Sequence, residues 1–175
     1  MKKTRITFTA LLFVVLQSCC PPFSDCEDDV IDPVPISRYE PVYIERAQFE
    51  KSVALKNSVS IGTSGKIYVR AGFLFINELN KGFHVYDNSD PTNPKSIKFL
   101  EVPGATDMAI RENMIFINQA TDLIAIEYNS GANSIALTKR IPDTFPPLRS
   151  PDGEVAYDIP ENAVVIDWKL KDNAQ

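Results

Sequence analysis

A pentad recurs along this chain at a fixed interval. Phe83-His84-Val85-Tyr86-Asp87, Leu123-Ile124-Ala125-Ile126-Glu127 and Ala163-Val164-Val165-Ile166-Asp167 each place an acid after four mostly apolar residues, and each copy lies 40 residues from the next. A second motif, Leu74-Phe75-Ile76-Asn77, returns as Ile115-Phe116-Ile117-Asn118 after 41 residues. Several short strands per period of 40 to 41 residues is the spacing of a β-propeller blade. The runs are continuously apolar rather than alternating. Strands covered on both faces lose the polar-out register, and stacked blades cover their inner strands in that way.

The expected class is therefore all-β, with propeller-like antiparallel blades and one short N-terminal helix. Ile67-Tyr68-Val69, Phe73 to Ile76 and Phe83 to Tyr86 are strands separated by the turn signals Ala71-Gly72 and Asn80-Lys81-Gly82. Asp90-Pro91-Thr92-Asn93-Pro94 supplies an Asx turn with proline-fixed φ. The apolar stripe Ile44, Ala47, Phe49 and Val53 predicts a helix over about Glu45 to Ala54. Pro142, Pro146, Pro147, Pro151 and Pro160 argue against regular strands between the second repeat and the third. Two repeats are clear and the third is eroded, whereas propellers close with about four to eight blades. A closed single-chain ring is not expected. Open blades leave apolar faces and strand edges, which favours association with itself or with a partner.

The pentads resemble the LVIVD repeat of bacterial extracytoplasmic proteins with propeller-like folds. Asp87-Asn88-Ser89-Asp90-Pro91-Thr92-Asn93-Pro94 is similar to the strand-ending acid and Asp-Pro-x-Asn-Pro turn of that family. Leu100-Glu101-Val102-Pro103-Gly104 with Asp107-Met108-Ala109-Ile110 is similar to the entry into its next blade. The resemblance is good over Gly65 to Ile141 and weaker over Val155 to Leu170, and Pro41-Val42-Tyr43 resembles the family's lead-in. The second copy departs from the pattern, with Asn129-Ser130-Gly131-Ala132-Asn133 in place of the Asp-Pro turn. The resemblance implies a fold and a compartment. It brings no catalytic residue set.

The N-terminus carries an address. Lys2, Lys3 and Arg5 precede the apolar run Ile6 to Leu16. At about 1.5 Å per residue, that run is too short to cross about 30 Å of hydrocarbon, so it reads as a signal-peptide core. Leu16-Gln17-Ser18-Cys19 resembles the lipobox of bacterial lipoproteins. That resemblance implies cleavage after residue 18, a diacylglycerol thioether on the Cys19 thiol and an acylated amine. A plain secretory signal whose cleavage site adjoins a cysteine is the alternative. Two or more acyl chains give stable anchoring where one does not. Cys20 and Cys26 are compatible with a small disulfide loop or with free thiols.

The expected organisation is a signal peptide over 1–18, a lipid-anchored tether over 19–37, a lead-in with the helix over 38–64 and the repeats over 65–175. Four prolines alternate with five acids in the tether, which reads as an extended linker. Glu27-Asp28-Asp29 resembles the export signal of some surface lipoproteins, so both faces of a Gram-negative outer membrane remain open. Net charge is −5 for the whole chain and −8 from Cys19 onward, with no basic run beyond the N-terminus. That gives no footprint for nucleic acid.

Candidate chemistry is sparse. His84, the only histidine, lies inside a predicted strand and reads as packed rather than as a base. Asp87, Glu127 and Asp167 share one repeat position, where symmetry could gather them around a cation or a polar ligand. Capping the turn that leaves each strand is the favoured role. Glu78, Glu101, Asp107 and Asp122 are available as carboxylate pairs for glycoside chemistry, but no spacing singles out a pair. Trp168 with Tyr157 could stack a sugar, though a lone tryptophan near a chain end more often packs against a core edge. Gly62-Thr63-Ser64-Gly65-Lys66 falls short of a phosphate loop and precedes a strand. No metal set or cofactor motif is present. The expectation is an envelope lipoprotein whose β-repeat domain is a non-catalytic binding or assembly module. The alternative is a carbohydrate-active protein using the repeat carboxylates.

Overall fold

The computed structural model describes residues 37–172 apart from 130, 132 and 133. The signal segment, Cys19, Cys20, Cys26 and the tether as far as residue 36 lie outside the described residues. The fold is all-β, with antiparallel sheets and one five-residue helix. Strands β3 (Ser64–Arg70), β4 (Phe73–Glu78), β5 (Gly82–Asp87) and β6 (Lys95–Glu101) form a meander. A further strand, β2 (Ala54–Asn57), joins its outer edge to make a five-stranded first sheet. The second sheet is a four-stranded meander of β7 (Ala105–Arg111), β8 (Met114–Gln119), β9 (Asp122–Asn129) and β10 (Ser134–Ile141). The first pentad lies on β5 and the second on β9, so each repeat is one blade-like sheet. The repetition reaches the irregularities too. The unpaired bulge residues Ile97 and Thr138 are 41 positions apart and interrupt the same place in the two ladders.

The packing of the two sheets explains the continuous apolar runs. Phe75, Phe83, Val85 and Leu100 of the first sheet meet Met108, Ile115, Ile117, Ile124 and Ile126 of the second in one core. Side chains alternate across a strand, so repeat-equivalent residues point the same way. Phe75 is equivalent to Phe116, and Ile76 to Ile117. The first sheet thus contributes one face of the repeat and the second sheet contributes the opposite face. Face-to-face stacking in that sense is how blades follow one another.

The lead-in is where the expectation needs correcting. Residues 39–57 hold two strands around the helix: β1 (Tyr39–Glu45), α1 (Arg46–Glu50) and β2. The helix stops short of Val53 and Ala54 because β2 pairs with β6, which sets Leu55 beside Leu100 against the core. The third pentad lies on β11 (Ala163–Leu170), which pairs antiparallel with β1 from Tyr39↔Leu170 to Glu45↔Ala163. Pro41 sits in this edge pair, where its missing donor is tolerated. The stretch from Pro142 to Asn162 holds no strand. A small second core of Phe49, Ala120 and Val164, with Ile44, Leu148 and Ile166 against it, packs this two-stranded clasp.

Candidate functional site

The repeat carboxylates are held by three separate segments. Asp87 accepts from the backbone N–H and Oγ of Ser89 at 2.9 and 2.7 Å, so it caps its own turn. Glu127 accepts from Asn113 Nδ2 at 2.7 Å. Asp167 accepts from the N–H of Trp168 at 2.8 Å and from Asn80 Nδ2 at 2.7 Å. Among the described residues, no three His, Cys, Asp or Glu side chains are grouped to hold a metal ion. The other carboxylates are engaged as well. Glu101 pairs with Lys56, and Asp107 accepts from Lys66 and from the Tyr68 hydroxyl. The Trp168 indole N–H donates to the Leu148 carbonyl, while Tyr157 lies exposed.

Two buried acids organise the connections. Glu78 ends β4 and is 4% exposed. Its Oε2 accepts from the Gly62 N–H at 2.8 Å and its Oε1 from the Thr63 N–H at 2.7 Å, which pins the crossing from β2 to β3. His84 is fully buried, tilted against the Phe99 ring, with Nε2 3.1 Å from Glu78 Oε2. Burial alone would raise the Glu78 pKa, but Thr63, Gly62, His84 and Lys81 outweigh it and bring it down to about 2. The carboxylate is therefore the acceptor and Nε2 the donor, which leaves Nδ1 buried without a partner. His84 serves here as a strut.

A depressed carboxylate pKa makes stability depend on acid. The contribution is complete above the unfolded value of about 4.5 and is lost as pH falls towards 2. At about 1.4 kcal/mol per pH unit, Glu78 accounts for at most about 3 kcal/mol of that loss. Urea midpoints measured from pH 7 to pH 2.5 are expected to fall below pH 4.5. They should fall less steeply in Glu78→Gln, which places at this position the residue found at its repeat-equivalent Gln119.

The second acid is Asp122, fully buried at the start of β9. The Arg46 guanidinium grips it bidentately at 3.0 and 2.7 Å, and Arg140 adds a bond of 2.7 Å. Both guanidiniums also lie over the Phe49 ring, at 5.4 and 5.1 Å. Burial opposes ionisation of Asp122, but Arg46 and Arg140 outweigh it and hold the carboxyl below the usual range. The cluster ties α1, β9 and β10 together. Arg46 also pairs with Glu50 at 2.9 Å, so two guanidiniums meet two carboxylates of the same chain, and the cluster builds the scaffold.

What remains open is part of each outer sheet face. On β3, Ile67 and Val69 are 62% and 65% exposed. Their repeat equivalents on β7, Met108 and Ile110, lie in or against the intersheet core, with Met108 6% exposed. The opposite sheet repeats the asymmetry. Phe75 and Phe83 are buried in the core, whereas their equivalents Phe116 and Leu123 line an open hollow of about 290 Å³ with Asp107, Ala109, Asn118 and Phe145. Asn118 Oδ1 is buried there without a partner, but so is Oδ1 of its repeat mate Asn77 inside the core. That feature belongs to the repeat and does not mark a ligand. Sequence reasoning anticipated unpaired faces without locating them, because exposure depends on which copy has a neighbour.

Comparison with family models, with curated proteins and with solved structures gives no match to this chain.

Proposed function

We propose that this chain is a lipoprotein of the Gram-negative outer membrane, anchored through acyl chains on Cys19. Its repeat domain is a non-catalytic docking module that receives another β-structured protein on its free blade faces. One observation carries the docking reading: Ile67 and Val69 are bare at the repeat positions that Met108 and Ile110 bury. Contiguous exposed apolar surface at a position built for burial marks an interaction site. The anchor rests on the basic start, the short apolar run and the resemblance of Leu16 to Cys19 to a lipobox. In support of a scaffold role, the buried acids are satisfied by backbone donors and arginines of the same chain.

Two experiments test the reading. Metabolic labelling with radioactive palmitate is expected to mark the full chain and to be lost in Cys19→Ser; labelling that survives there would remove the anchor. A photoreactive residue at Ile67 in intact cells is expected to capture a protein. Irradiation that yields only the uncrosslinked chain would remove the docking role.

A further inference from the structure

We infer that the occupant of the free faces is a second copy of this chain, docked head to tail, with the outer face of one copy's first sheet on the outer face of the other's second sheet. This rests on the docking reading above and names its partner. The argument is the repeat itself. Inside the chain, the Phe75, Phe83 and Val85 face of the first sheet packs on the Ile115, Ile117 and Ile124 face of the second. The outer face of the second sheet carries Phe116 and Leu123, both partly exposed, and the buried Ala125, the repeat equivalents of the former set. The outer face of the first sheet carries Leu74 and Ile76, both partly exposed, and the fully buried His84, the equivalents of the latter. Each chain therefore ends in two different faces of the kind already joined at its centre. Docking them continues an interface that the chain already makes.

The geometry decides the type of assembly. The two faces are different, so the contact is heterologous, and it closes into a ring or runs on as a filament. With two blades per chain, closure at about four to eight blades requires about two to four copies. Part of each face is already covered: the Glu78 end of the first sheet lies under the pinned β2–β3 crossing, and Phe145 lines the hollow on the second. The bare remainder of the first sheet is centred on Ile67 and Val69. A whole face of four strands about 4.8 Å apart and six residues of about 3.3 Å spans about 400 Å², so the two bare remainders together offer less than about 800 Å². That is below the roughly 1,200 Å² of a standard stable interface. Association is accordingly weak in dilute solution and becomes appreciable where a shared surface concentrates the chains.

The test uses the full chain with Cys20→Ser and Cys26→Ser, which leaves Cys19 for acylation. Val69→Cys is placed in one tagged copy and Phe116→Cys in a second, differently tagged copy. Ile110 and Phe75, the repeat equivalents of these positions, line one intersheet hollow. Co-expressed in one cell and oxidised, the two copies are expected to form a disulfide-linked species of twice the chain's mass carrying both tags. Its yield should exceed that of either variant alone at least tenfold. Equal yields from Val69→Cys alone would overturn the head-to-tail arrangement. No linked copy, together with capture of a protein of another mass from the photoreactive position 67, would overturn the second copy and spare the docking role. No product from either approach would overturn both. Should a cysteine variant misfold, photocapture from position 67 still reads the mass of the partner.

Discussion

Replacing Asp122 by alanine is expected to lower the free energy of unfolding by about 3–5 kcal/mol, a large share of the roughly 5–15 kcal/mol that holds a typical domain. The carboxylate is fully buried and satisfies three guanidinium N–H groups, and its Oδ1 is 3.3 Å from the Asp143 N–H. Its removal leaves Arg46 with Glu50 alone and Arg140 without a carboxylate partner. Arg46 keeps 26% of its side chain in solvent and Arg140 only 13%, so Arg140 carries most of the unrelieved charge. Asp122→Asn keeps the shape and loses the charge, so it should fall between the variant and the parent. Urea unfolding followed by far-UV circular dichroism measures the loss. The single Trp168 on β11 provides a second probe of the clasp. A loss under about 1 kcal/mol would mean that solvent reaches both guanidiniums freely.

The second large effect is expected from one methyl group. A Cβ added at Gly82 would lie 2.1 Å from the Leu100 carbonyl oxygen and 2.9 Å from the Val102 nitrogen, on a backbone with φ of +142°. Both obstacles are main chain and cannot rotate away, so β5 and β6 must part where Gly82 faces Glu101. Overpacking of about 1–3 kcal/mol and backbone strain of similar size place Gly82→Ala at about 4 kcal/mol. Gly153→Ala is the control. Its φ is +91°, yet nothing lies within 4 Å of the added atom, so strain of about 1–2 kcal/mol acts alone. Thermal melts of the two variants separate the clash from the conformation, and equal losses would refute the clash.

The repeat was legible because it is local and periodic: strands β4, β5, β8 and β9 lie on the two motifs that recur. Their turns were half legible. Gly72 and Asn80 are familiar left-handed residues, but Ala71 and its repeat equivalent Glu112 adopt φ of +49° and +56°, and Ala120 φ of +48°, without any such signal. Strands β1 and β2 were hidden for a different reason. Each is a single short run whose hydrogen-bonding partner lies far along the chain, and the helical stripe that ends at Val53 and Ala54 gives way where β6 pairs from Ala54 onward. The Asp122 cluster joins residues 46, 122 and 140, which no local pattern connects. One clue was present, since a charged residue stands where the first repeat has Gly82. Departures from a repeat deserve the same scrutiny as the repeat.

The β1–β11 clasp sets an order of events. Tyr39 is among the first residues of the domain to emerge from any machine that delivers a chain amino end first, and Leu170 is among the last. Between them the first strand has no partner, while each meander can form from neighbours as soon as its fourth strand appears. Pairing across so long a separation carries the loop-closure entropy that slows folding. The domain therefore acquires its two sheets early and its seal last. Until that seal forms, β1 offers a row of unpaired backbone groups to anything nearby. A chain cut short before Ala163 would hold its blades and lack its fastening.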